Sequence, residues 1–377
     1  MQYRDFGRTG LKVSALGFGC MRLPSNENGE VNVDEAVRQI RYAIDNGVNY
    51  LDTAYIYHGG NSERVLGKAI KDGYREKVFV ADKLPIWSVK KYEDCERLLN
   101  EQLERLDVEY IDFYLVHALN GKAWAEMKAI GVTDFLDKAL KDGKIKYAGF
   151  SFHDGTQAFK DIIDSYDWSF CQMQYNYIDE FNQAGVEGLK YAASKGLGVV
   201  IMEPLLGGKL AITPPAEIQE LWDSADVKRK PAEWGLKWIW NQKEVSVVLS
   251  GMNAQSQVEE NLKTAGEAVP GCLSIEEVEL ISKVRTKYKE LNRVPCTGCK
   301  YCMPCPAGVN IPENFSSYNQ ASMYNDWKGS KWWYENKNEK ERASSCVECG
   351  KCEKVCPQHI SIRQHLKDFH KEMTLVR

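Results

Sequence analysis

The sequence has almost no charge imbalance: 49 Lys+Arg stand against 53 Asp+Glu in 377 residues, a formal net charge of −4. No basic field is present to hold nucleic acid or an anionic membrane surface, and neither is expected as a partner. No run approaches the ~20 consecutive apolar residues that span a bilayer. The opening MQYRDFGRTGLKVS lacks the apolar core of a signal peptide. The expectation is a soluble, cytoplasmic chain. A complete Gly-x-Gly-x-x-Gly is also missing: Gly17-Phe18-Gly19-Cys20-Met21-Arg22 offers two glycines and no third at the required spacing, which argues against a Rossmann domain.

What is present is an alternation. Short runs rich in β-branched and aromatic residues begin at Ala15 to Gly19 and recur near Val48 to Asp52, Val78 to Asp82, Ile111 to Val116, Tyr147 to Phe150, Phe170 to Met173, Gly198 to Met202 and Val245 to Leu249. Each is followed by a stretch of helical period, such as Ala36, Val37, Ile40, Ala43 and Ile44. Eight strand–helix units over roughly 270 residues predict an α/β (β/α)8 TIM barrel rather than an open doubly wound sheet. Ser274-Ile275-Glu276-Glu277 reads as a capping box opening one more helix. Composition then changes, with cysteines and prolines crowding 295 to 312. Two domains are expected, 1–290 and 291–377.

Chemistry in such a barrel sits on the loops after the strands. The second strand leads into Asp52-Thr53-Ala54-Tyr55-Ile56-Tyr57, the third ends at Asp82-Lys83 and the fourth at His117. Asp52, Tyr57, Lys83 and His117 would meet at one mouth. A lysine beside an aspartate stays charged, and an ammonium next to a phenol is expected to lower its pKa, making Tyr57 a proton donor near neutral pH. The imidazole would orient a substrate oxygen.

This constellation resembles the aldo/keto reductase family over most of residues 1 to 285. Further matching pieces are Gly149-Phe150-Ser151, Gln172-Met173-Gln174-Tyr175-Asn176, Met202-Glu203-Pro204-Leu205 and Glu259-Glu260-Asn261-Leu262. The resemblance implies Tyr57 as general acid, Lys83 and Asp52 as its tuning pair and His117 as the orienting residue. It also implies a nicotinamide cofactor held by Ser151 and Gln174, by the loop at Pro204 and Leu205, and by Glu260 and Asn261 at the adenine. Two departures stand out. Phe152 and His153 follow the serine where family members carry Asn. The positions matching the family's 2′-phosphate cations are Gly251, Met252 and Gln257, which carry no charge. NAD(H) and NADP(H) therefore both stay open.

Of 12 cysteines, eight lie between 296 and 356. In a reducing compartment such a group reads as a metal or cluster site, and the other four as small buried hydrophobes. The runs are Cys296-x2-Cys299-x2-Cys302-x2-Cys305-Pro306 and Cys346-x2-Cys349-x2-Cys352-x3-Cys356-Pro357. The second fits the bacterial ferredoxin pattern and the first is one residue short before its last cysteine. Structural zinc and a disulfide knot are weaker readings. The segment resembles a small, mostly helical two-[4Fe-4S] ferredoxin module. In that pattern the last cysteine of each run serves the other cluster, which implies one set of Cys296, Cys299, Cys302 and Cys356 and another of Cys346, Cys349, Cys352 and Cys305.

Barrel and module together are similar to the ferredoxin-bearing branch of the family. Three functions follow. The first is nicotinamide-dependent reduction of a small aldehyde or ketone, or the reverse oxidation of an alcohol. The second is electron exchange through the clusters with a ferredoxin-like carrier or a flavin-type cofactor in the barrel. The third is a slow barrel with a redox-sensing tail. A hydride carries two electrons and each cluster one, and no flavin motif is visible to convert between them.

Overall fold

The computed structural model describes residues 1–376. Eight parallel strands close a barrel: β3 (Leu16–Gly19), β4 (Tyr50–Asp52), β5 (Phe79–Leu84), β6 (Ile111–Leu119), β7 (Ile145–Phe152), β8 (Phe170–Gln174), β9 (Gly198–Met202) and β10 (Val247–Ser250). β10 pairs with both β9 and β3 to complete the ring. Every barrel strand expected from the alternation is found within a few residues of its predicted bounds.

An antiparallel hairpin of β1 (Tyr3–Asp5) and β2 (Lys12–Ser14) precedes the barrel and was not predicted. Its function is packing. Phe6, fully buried, lies 4.5 Å from Phe113, 5.5 Å from Phe170 and 5.9 Å from Tyr50 between ring centroids. With Val13 it joins the core that fills the barrel. Gly7 turns the chain at φ +55°, where a Cβ would stand 2.3 Å from the Gly198 nitrogen, so only glycine fits. The outer helix Val33–Asp45, capped by the Asn32 side chain on the Glu35 N–H, buries Ala36, Ile40, Ala43 and Ile44 on one face.

The chain divides into two compact units, Met1–Gly207 with Glu233–Ser274, and Gly208–Ala232 with the residues from Ile275 on. Helix Ile275–Glu290, which ends where the composition changes, thus packs in the second unit. That unit is mostly helical, with Ile311–Tyr324, Trp327–Asn336 and Ile362–Leu375 around a core of Val309, Phe315, Tyr318, Tyr334, Leu366 and Phe369. Among the described residues no helix is long and apolar enough to cross a membrane.

Candidate active site and cysteine loops

The ends of β4, β5 and β6 bring the four predicted residues together. Lys83 Nζ donates to Asp52 Oδ1 at 2.7 Å and to the Thr53 carbonyl at 2.6 Å, and the two side chains are only 1% and 4% exposed. Tyr57 opens the short 3-10 turn Tyr57–Gly60, and its ring lies 5.0 Å from that ammonium. His117 meets Tyr57 edge-on at 6.3 Å. The strand end that carries Lys83 is pinned from outside the barrel: Gln102 Nε2 donates to the Lys83 carbonyl at 3.0 Å, and the Tyr114 hydroxyl donates to Gln102 Oε1 at 2.7 Å. A lysine fixed at both its ammonium and its backbone is a preorganised charge.

Burial sets the protonation states. It pulls the Lys83 ammonium down, but Asp52 and Tyr57 outweigh it and hold the lysine above its ordinary value. Burial lifts the Asp52 carboxyl and the ammonium pulls it back; at 2.7 Å the two form an ion pair. The expected lowering of Tyr57 is overturned. Burial raises the phenol and wins against the opposing pull of Lys83, because removing water penalises a phenolate more than one neighbouring cation stabilises it. Tyr57 is therefore a phenol, not a phenolate, at neutral pH. His117 is pushed down to about 3, by burial first and then by Lys83 and His153, so its imidazole is neutral. Its Nδ1 is buried without a hydrogen-bond partner.

The same mouth gathers part of the predicted cofactor set. Ser151 and Gln174 are buried at the ends of β7 and β8. Ser151 Oγ accepts the Ala118 N–H at 2.7 Å and keeps its own proton to give, while Gln174 Oε1 has no partner. A hydroxyl donor and a buried, unpaired amide oxygen fit a carboxamide. Pro204 and Leu205 lie on the loop after β9, Pro204 buried. Asn261 is buried and donates to Ser250 Oγ at 3.0 Å, whereas Glu260 is exposed. Gln257 Oε1 accepts the Asn253 N–H, so this amide shapes the loop after β10.

Arg22 was missed. Its stem lies along Gly251, where a Cβ would stand 3.1 Å from Arg22 Cβ, and its Nη2 is 3.5 Å from where a Gly207 Cβ would be. The stem of Arg22, from the loop after β3, therefore covers Gly251, and its guanidinium reaches Gly207 on the loop after β9. Trp87, 44% exposed, packs on His117 at 5.1 Å and belongs to the mouth. Trp124 does not: it is buried on Trp168 and bonded to Ser165. His58 accepts the Leu23 N–H through Nε2, which ties two loops together.

In the second unit the eight cysteines line two cavities. One of about 170 Å³ is bounded by Cys305, Cys346, Cys349 and Cys352, with Cys302 also on its wall. A smaller one is bounded by Cys296, Cys299, Cys302 and Cys356. These are the two crossed sets of the ferredoxin pattern. Both loops are built alike: Gly298 and Lys300 in the first and Glu348 and Gly350 in the second, each two and four residues beyond the leading cysteine, take the left-handed conformation. Among the described residues no three His, Cys, Asp or Glu groups converge on one ion position. Four thiols spread round a cavity fit a cluster better than a zinc ion with bonds of about 2.3 Å.

Comparison with known proteins agrees with both halves. Residues 15–285 match the aldo/keto reductase family and residues 295–360 a 4Fe-4S dicluster domain. L-galactose dehydrogenase of Arabidopsis thaliana is 30% identical over 71% of this chain and 89% of its own. A probable voltage-gated potassium channel subunit beta of the same plant is 25% identical over 78% of this chain and 100% of its own. The holo form of an aldo-keto reductase from Bacillus halodurans superposes with a TM-score of 0.64 at 26% identity, covering 75% of this chain and 96% of that one. With the family match spanning the barrel and the strand-end residues that carry it in place, the chain is an oxidoreductase of the aldo/keto reductase family with a C-terminal 4Fe-4S domain.

Proposed function

We propose that the barrel reduces a small aldehyde or ketone with NADH or NADPH, or runs the reverse alcohol oxidation, and that residues 291–377 form a domain holding two [4Fe-4S] clusters. The observation that carries this is the buried Lys83 ammonium, bonded to Asp52 and Thr53 under the Tyr57 ring, with a neutral imidazole beside it. Neutral His117 donates an N–H to the carbonyl oxygen and orients it. Tyr57 gives its proton to that oxygen as negative charge builds there, and the fixed Lys83 charge stabilises the phenolate left behind. Asp52 keeps the ammonium in place between turnovers. Trp87 on His117 narrows the access of water. Ser151 and Gln174 would hold a nicotinamide, which would supply the hydride. The name of the Arabidopsis relative, a dehydrogenase, supports keeping the oxidative direction.

A second use of the chain is supported by the cysteine loops, where Cys299 and Cys349 are exposed. Clusters held by these loops would lie near the surface and would exchange single electrons with an outside carrier. The thiolate ligands favour a reducing compartment, the cytoplasm. Anaerobic purification followed by iron, labile sulfide and bound-cofactor analysis, and then NAD(P)H-dependent aldehyde turnover, tests the whole. Turnover that persists after the clusters are lost supports the barrel chemistry by itself. Bound flavin with no nicotinamide affinity refutes it.

A further inference from the structure

The two cysteine cavities differ in what closes them. Ile311 walls both; the smaller adds buried Phe315, Ile360 and Ile362, and what it leaves in water includes the polar Thr297, Lys300 and Gln358 rather than large apolar side chains. The larger is bordered by Tyr301, Val347 and Val355, which are 68%, 68% and 51% exposed. An apolar rim left in water beside a thiol-lined cavity is the kind of surface that marks an interaction site.

Charge around the rim is sorted. Glu353 accepts three hydrogen bonds from Arg363, from its backbone N–H at 2.9 Å, Nε at 3.0 Å and Nη2 at 2.7 Å. Glu348 pairs with Lys367 at 2.7 Å. Both acids are thus answered by cations of the last helix. Lys351 and Lys354 are exposed on either side of Cys352 and pair with no acid among the described residues. Lys300, next to Tyr301, is exposed as well, and the acid it influences, Glu313, is already bonded to Lys337. A chain with a formal charge of −4 has therefore kept a local positive surplus round one exposed apolar rim.

We propose that the face made by Tyr301, Val347 and Val355, flanked by Lys300, Lys351 and Lys354, docks a small acidic one-electron carrier protein at the cluster of Cys305, Cys346, Cys349 and Cys352. This inference rests on the cluster reading above. In the step itself one electron would leave the reduced carrier and be taken up by the cluster that Cys305, Cys346, Cys349 and Cys352 would hold, or the reverse. No bond forms and no proton moves. Complementary charge steers the encounter and sets its salt dependence, while the apolar rim lets the two centres approach closely.

The test uses the anaerobically purified full chain, with iron and labile sulfide counted first. Binding of a plant-type ferredoxin made redox-inert with gallium is measured by calorimetry at low and high NaCl, with basic cytochrome c as the opposite-charge probe. Ferredoxin is expected to bind at low salt and weaken at high salt. The double variant Lys351→Glu/Lys354→Glu should raise its Kd about tenfold or more with iron content unchanged. Lys190→Glu, exposed on a barrel helix, should leave Kd as it is. A Kd unmoved by the double variant, or cytochrome c bound as tightly, overturns the docking face while the clusters stand. A chain without iron or sulfide overturns the cluster reading and the inference with it. Self-association of the chain through this face, abolished by the same double variant, would also contradict the proposed partner.

Discussion

The barrel mouth and the cysteine loops handle charge in opposite ways. At the mouth, Lys83 and Asp52 are sealed from water and paired through Asp52 Oδ1, with Asp52 Oδ2 left unpartnered, and burial is the largest influence on Tyr57 and His117 beside them. At the loops, the thiols of Cys299 and Cys349 reach the surface, and the charges around them are exposed lysines and paired acids. Proton transfer profits from a dry site with a preset field, whereas electron exchange with another protein needs an accessible edge. One chain carries both environments.

The contrast can be broken most severely at the ligands. Cys352→Ser is expected to remove iron from the larger cavity altogether, whereas Cys171→Ser, at a buried barrel cysteine, should leave the iron content unchanged; anaerobic iron analysis distinguishes them. Next comes Lys83→Met, which leaves Asp52 buried without its partner and should destabilise the chain by about 3–5 kcal/mol in urea unfolding, much more than the same change at exposed Lys190. Arg22→Ala is expected to weaken nucleotide binding roughly tenfold, the order lost with one charge-assisted phosphate contact. Fluorescence titration with NADH and NADPH separates the sources: equal losses mean the shared pyrophosphate, and a loss for NADPH alone means the 2′-phosphate.

The smallest effect is in pH. His117 falls from 6.5 to about 3 in the folded chain, so between those values the unfolded chain binds more protons at this site. Its contribution to stability is complete above 6.5 and is lost as pH drops toward 3. Urea unfolding at pH 5 should show lower stability than at pH 7.5, with a shallower drop in His117→Gln. No inflection in carbonyl turnover between pH 5 and 8 should come from this imidazole.

How far the sequence foretold all this depended on the range of the interaction. The two cysteine runs were legible because their spacing is local; the crossing of their last members came from the resemblance to the ferredoxin pattern, and the structure lines its two cavities with those groups, Cys302 lying on both. The eight strands were legible because buried parallel strands read as short apolar runs, and the strand-end residues followed from them. The hairpin was not, because its strands are three residues each and Phe6 acquires meaning only once the barrel closes over it. Arg22 was overlooked for a related reason. Register along the loop after β10 shows which residues stand there, but not a side chain arriving from the loop after β3. The sign of the Tyr57 shift failed because a pairwise reading sees the lysine and not the lost water.

The proton-donor role of Tyr57 is tested most directly by Tyr57→Phe in the cluster-loaded chain, with aldehyde turnover and nucleotide affinity measured side by side at neutral pH. Turnover should fall by about 10²–10⁴-fold, the usual worth of a positioned general acid, while the Kd for NAD(P)H stays within twofold of the parent. Unchanged turnover would contradict the assignment.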